Sequence, residues 1–129
     1  MTDNGGSDVD IRVGAVTLDC AETVPLARFW AELLGGEIAF ESEGFAAVKL
    51  ENLWITAQQI DDFQEATWPT GEVAKQIHLD LAVEDLATTS ARALELGARL
   101  ADVQPGPDRY LVLIDPAGHP FCLTTQIPE

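Results

Sequence analysis

Basic side chains are scarce in this chain. Seven Lys and Arg stand against 22 Asp and Glu, a formal net charge of -15 over 129 residues. A surface of that sign repels phosphate backbones and anionic lipids, so nucleic-acid and membrane partners are not expected. The acidity is spread along the chain and reads first as a solubility feature. It also slows encounter with anionic substrates unless basic residues are focused in a cleft. Cysteine is nearly absent. Cys20 and Cys122 alone do not make a disulfide framework, and both read as buried apolar thiols. No apolar run approaches the roughly 20 residues that span a bilayer. The stretch Met1 to Asp10 is polar and acidic, without the basic start and apolar core of a signal peptide, so a loose tail and a cytoplasmic location are expected. Gly-rich phosphate loops, a Gly-x-Ser-x-Gly elbow and Cys-x-x-Cys pairs are all missing, which leaves nucleotide-dependent chemistry and serine hydrolysis unsupported.

What is present is a globular composition, 47% apolar, and an internal repeat. Leu18-Asp19 is followed by Leu26-Ala27-Arg28-Phe29-Trp30 and closes at Gly35. Leu79-Asp80 is followed by Ala91-Arg92-Ala93-Leu94 and closes at Gly97. Each stretch reads as a strand, an acidic or threonine residue suited to capping, and a helix stopped by glycine. The last strands also match, Leu53 to Gln58 lying over Phe121 to Gln126. Two matching segments in the same order argue for a duplicated unit.

The pattern predicts strand, helix, strand, strand, strand, performed twice. Strands are expected near 11–20, 37–42, 45–50 and 53–59 with a helix near 24–34. After a connector over 60–75, strands are expected near 77–83, 99–103, 109–114 and 120–126 with a helix near 85–96. The expected organisation is a tail over 1–10 and one domain over 11–129, with module one at 11–59 and module two at 76–129.

Side chains alternate across a strand. Leu79, Leu81 and Val83 should pack on a helix, which turns His78 and Asp80 toward a cleft. By the same alternation Thr17 and Asp19 face it from module one, with Trp54, Thr56 and Gln58, while Cys122, Thr124 and Gln126 face it from the last strand. His78 beside Asp80 is the candidate acid–base couple. Asp19 and Asp80 are either a pair of acids in one cavity or structural acceptors, and their presence in both modules favours the structural role. Trp54 is expected to stack on a flat or apolar ligand. Trp30, beside Phe29, reads as core. Trp68 covers the cleft or a dimer seam. Arg109 is either an anchor for an anionic substrate group or a solvated charge. His119, after a turn glycine, reads as a turn hydrogen-bonding residue.

With Leu18-Asp19-Cys20-Ala21, Leu33-Leu34-Gly35, His78 to Val83 and Asp115-Pro116-Ala117-Gly118-His119-Pro120-Phe121, the chain resembles the glyoxalase/bleomycin-resistance/extradiol-dioxygenase (vicinal oxygen chelate) superfamily. The resemblance covers the chain from about residue 11 onward. It implies an α+β fold in which two tandem βαβββ modules form a curled mixed sheet around a shared cleft, and a homodimer. Metal-dependent members place a ligand on the first and last strand of each module. The matching positions are Thr17, Trp54, His78 and Cys122, with Ala15 or Ile55 as one-step register alternatives. Only His78 is a standard ligand, and Cys122 suits a soft metal as thiolate. The resemblance therefore implies a degenerate site with no cofactor; a divalent metal, if bound, would sit on His78 and Cys122. The expected function is a metal-independent lyase or isomerase acting on a small carbonyl compound, with His78 and Asp80 catalytic. Trp54, Thr17, Asp19, Thr56, Arg109, Cys122 and Thr124 would bind substrate. The alternative is a ligand-sequestering protein of the bleomycin-resistance kind, in which Asp19 and Asp80 receive a cationic guest.

Overall fold

A computed structural model describes residues 12–128. The tail expected over 1–10 lies outside the described residues. The elements run β1 (Ala15–Cys20), α1 (Thr23–Leu34), β2 (Glu37–Glu41), β3 (Phe45–Lys49), β4 (Trp54–Gln59), then β5 (Leu79–Ala82), α2 (Leu86–Glu95), β6 (Arg99–Leu100), β7 (Tyr110–Ile114) and β8 (Pro120–Thr124). The duplicated βαβββ order is therefore present. The sheets are two: β1-β4-β3-β2 and β5-β8-β7-β6. In each, the first strand pairs parallel with the last, and the other pairings are antiparallel. Each module thus contributes one four-stranded mixed sheet, the α+β tandem-module architecture that the resemblance implies.

Local chemistry explains the element ends. Gly35 closes α1 in the left-handed region at φ 70°, where its N–H donates to Ala31. Gly36 carries no side chain because Leu50, Val48 and the Lys49 carbonyl crowd the place where a Cβ would sit. Asp85 caps α2 by accepting from the Thr88 N–H. Glu22, at the equivalent place before α1, makes no side-chain cap; the Thr23 hydroxyl beside it donates to the Ser42 carbonyl.

One strand is shorter than expected. β6 ends at Leu100, not at 103. Beyond it the Gln104 carboxamide replaces a strand partner. Its Oε1 accepts from Val112 N at 2.8 Å, and its Nε2 donates to the Val112 and Ala101 carbonyls at 2.8 and 3.0 Å. A side chain satisfies the β7 edge, and the main chain is free to turn away.

One core serves both modules. Leu18, Leu26, Phe29, Trp30, Val48 and Ile55 from module one bury together with Ala93, Leu113, Phe121 and Leu123 from module two. Trp30 packs edge-on against Phe29 and Phe121, at centroid distances of 5.1 and 5.0 Å. Its indole N–H donates to Asp115 Oδ2 at 3.0 Å. The other Asp115 oxygen accepts from the N–H groups of Ala117 and His119, each at 2.9 Å, and so shapes the Asp-Pro-Ala-Gly turn before β8. His119 Nε2 meets the Asp19 carbonyl at 2.7 Å. His119 is thus more than a turn residue: it ties module two to β1.

Asp115 is 2% exposed. Burial raises its carboxyl pKa, against the opposing pull of His119, Trp30 and Ala117. A raised folded-state value contributes stability below the ordinary carboxylate range, and that contribution is lost as pH rises through the folded value. Asp115→Asn turns an amide N–H₂ toward an indole or backbone N–H. It should cost about 1–3 kcal/mol in urea unfolding at neutral pH, with a penalty that grows as pH falls toward 4. A penalty that is absent at neutral pH, or that shrinks on acidification, would contradict this assignment.

Candidate functional site

The alternation of β5 builds the site. Leu79, Leu81 and Val83 pack against the core. His78 and Asp80 turn the other way, into a cavity of about 450 Å³. β8 lies beside β5 in register, Asp80 opposite Cys122, and β7 follows with Val112 opposite Cys122. His78, Asp80, Val112, Cys122 and Thr124 therefore share one sheet face and line the cavity. Trp68 and Lys75 of the connector and Arg109 and Tyr110 at the start of β7 complete its sides. Trp68, like Tyr110 and Cys122, packs against the buried Ala101, Val112 and Ile114. That volume suits a small organic molecule.

His78 Nε2 lies 3.1 Å from Asp80 Oδ1. Donor atoms of His78, Asp80 and Cys122 all fall within 4.8 Å of one another. Burial, followed by the charge of Asp80 and a hydrogen bond to it, pushes the Cys122 thiol up to about 11, with Lys75 acting in the opposite direction. Cys122 is therefore an S–H group near neutrality, not a ready nucleophile. Thr124 is occupied structurally: its hydroxyl donates to the Arg109 carbonyl at 3.2 Å and accepts from Gln126 N at 3.1 Å.

The expected residues of module one fall elsewhere. Thr17 and Asp19 line a smaller neighbouring cavity of about 230 Å³, under the connector. His78, Lys75 and Pro120 border both cavities. Trp54 and Thr56 line neither. Thr56 is buried, and its hydroxyl is paired with that of Thr17 at 2.7 Å. The modules meet at the smaller cavity and at another of about 650 Å³ that Val16 and Ile55 line with Leu79, Asp80 and Leu81, while the 450 Å³ cavity belongs to module two and the connector. Asp19 and Asp80 do not face each other across it. The alternation predicted which way each side chain points, but not how one module sits against the other. Lys75 went unnoticed because the connector has no periodicity from which to read a direction.

The four-position metal site implied by the resemblance does not fit these residues. The Trp54 indole offers no lone pair, the Thr17 hydroxyl is engaged by Thr56, and neither residue lines the 450 Å³ cavity where His78 meets Asp80 and Cys122. The half that survives, His78 and Cys122, gains Asp80 as a third neighbour. In that cluster His78 and Asp80 already satisfy each other, and the thiol is held protonated.

The chain belongs to the glyoxalase-like domain family, whose profile matches residues 15–124. Among solved structures it resembles a possible glyoxalase from Bacillus cereus, with TM-score 0.65, 16% identity, and 89% of this chain and 99% of that one covered. It also resembles a fosfomycin resistance protein from Listeria monocytogenes complexed with Mn(II) and 1S,2S-dihydroxypropylphosphonic acid, with TM-score 0.67, 19% identity and 92% of each chain covered. A third is the bleomycin-binding protein of Streptomyces verticillus, complexed with copper(II)-bleomycin, with TM-score 0.58, 19% identity, and 92% and 99% covered. At these identities the likeness is one of fold. No curated protein matches the sequence significantly.

The thiol chemistry gives a direct test of the site. With a pKa of about 11, roughly one Cys122 in a thousand is ionised at pH 8, so iodoacetamide should react about a hundredfold more slowly than with a free thiol. Asp80→Asn removes the adjacent charge and should speed the reaction at least about fivefold. Cys20 is fully buried, and Cys122→Ser should abolish labelling. Unchanged labelling in Asp80→Asn would break the proposed contact.

Proposed function

We propose that the protein binds a small carbonyl compound in the module-two cavity and catalyses proton transfer on it as a metal-independent isomerase or lyase. The observation that carries this is the His78–Asp80 couple, 3.1 Å apart on the wall of a 450 Å³ cavity. An imidazole takes a proton from the carbon next to the carbonyl, and Asp80 stabilises the imidazolium that forms. The same ring returns the proton to a neighbouring atom, which gives isomerisation, or to a leaving group, which gives elimination. Trp68, Tyr110 and Val112 pack the substrate body and displace water from the reacting centre. The role first expected of Trp54 falls to Trp68. The working form in this proposal is a cytoplasmic homodimer. No described helix is long and apolar enough to cross a membrane.

The experiment is deuterium wash-in. Protein treated with EDTA is incubated in D₂O with a panel of small α-hydroxy and α-oxo carbonyl compounds, and loss of the α-proton signal is followed by ¹H NMR. Exchange is expected for at least one compound, and His78→Ala should slow it by about 10²–10⁴. Exchange that appears only when Zn²⁺, Ni²⁺, Mn²⁺ or Fe²⁺ is restored would overturn the metal-independent reading.

Ligand sequestration is the second reading, and the open, partly apolar cavity favours it equally. Binding of a panel compound without any exchange would select it. A cationic guest of the kind first considered suits the cavity poorly, because Asp19 is outside it while Lys75 and Arg109 line it.

A further inference from the structure

The basic side chains are few enough to follow one by one. Arg28 pairs with Glu41, Arg92 lies near Glu32 and Glu95, and Arg99 pairs with Glu65. Like Arg12 and Lys49, Lys75 and Arg109 form no ion pair with any described acidic residue, although acidic side chains outnumber basic ones threefold in the chain. Both line the same cavity. Its one carboxylate, Asp80, is engaged by His78 at 3.1 Å and lies within reach of Cys122. The cavity therefore holds two cations against one carboxylate, in a protein of net charge -15.

Position reinforces the point. Lys75 is partly buried at the border of both cavities, and its charge is felt at the Cys122 sulfur on the floor. Arg109 has its carbonyl held by the Thr124 hydroxyl, and its guanidinium lies over Gly106, where a Cβ would come within 3.1 Å of Nη2. A planar guanidinium fork and a point-charge ammonium lining one cavity are the equipment for holding an oxyanion. Trp68, Tyr110 and Ile127 supply apolar surface beside them.

We infer that the ligand of this cavity is a small carboxylate with an apolar body, an oxo acid in class, its carboxylate held by Lys75 and Arg109 and its carbonyl end directed toward His78. This rests on the module-two cavity being the site, and deepens that reading by naming the substrate class. The local positive charge also explains how a protein of net charge -15 admits an anion: the cavity focuses a field opposite to that of the surface.

The test uses a matched pair of probes, benzoylformate and its neutral primary amide, titrated by calorimetry at low and high salt. Benzoylformate should bind at least about tenfold more tightly than the amide, and raising the salt from 20 to 200 mM should weaken it several-fold. Lys75→Met and Arg109→Met should each weaken benzoylformate about tenfold and leave the amide unchanged. Lys49→Met removes a cation outside this cavity and should have no effect. Equal affinity for the two probes, or equal losses in Lys49→Met, overturns the anion inference while leaving the cavity in place. Failure of both probes to bind at 10 mM, with thermal unfolding unchanged, overturns the cavity reading and this inference with it.

Discussion

The relation of the two modules depends on the buried hydrogen bond between the Trp30 indole and Asp115. Trp30 belongs to the first helix and Asp115 to the turn before the last strand. A carboxylate that is 2% exposed must find donors for both oxygens. It finds three, from Trp30, Ala117 and His119. The same turn sends the His119 ring to the Asp19 carbonyl and places Phe121 against Trp30 and Phe29. One polar cluster, enclosed by three aromatic rings, therefore sets where β8 begins. Since Cys122 and Thr124 follow on that strand, and β5 pairs with it in fixed register, the floor of the cavity is positioned from the same point.

The cavity gathers two of the seven basic side chains of a strongly acidic chain. Outside, acidic groups dominate and confer solubility. Inside, the single carboxylate is tied to an imidazole and a thiol, and two cations are left without partners. In the proposed reading this arrangement separates two jobs that one charged surface cannot do together, staying soluble and admitting an anion. The cationic guest considered on Asp19 and Asp80 suits the cavity poorly for the same reason: a net charge averages over the surface and says nothing about where the minority sign is concentrated.

Much of this was legible in the sequence because it is carried by periodicity. The βαβββ repeat and its glycine stops follow from local pattern, and the strand and helix bounds fall close to those expected. The opposed faces of Leu79-Leu81-Val83 and His78-Asp80 follow from alternation alone. Trp30 read as core and lies there. What depends on tertiary placement was not legible. By repeat symmetry, Thr17, Trp54 and Thr56 occupy positions equivalent to those of His78, Cys122 and Thr124. Equivalence in sequence does not place two modules around one cavity. Trp68 and Lys75 sit in a segment without regular structure, where no alternation assigns a direction. The Gln104 carboxamide that replaces a strand partner is likewise invisible to a reading of propensities, since its role exists only once Val112 is beside it.

The measurement closest to the central claim is a map of amide chemical shifts in ¹⁵N-labelled protein on addition of a small aromatic oxo acid. The account predicts perturbations confined to the cavity face of module two and the connector, at Lys75, His78, Asp80, Arg109 to Val112 and Cys122 to Gln126. It also predicts quiet signals at Ala15, Lys49, Trp54 and Thr56. Perturbations centred on the module-one sheet would contradict it, and would return the site to the face that carries Trp54.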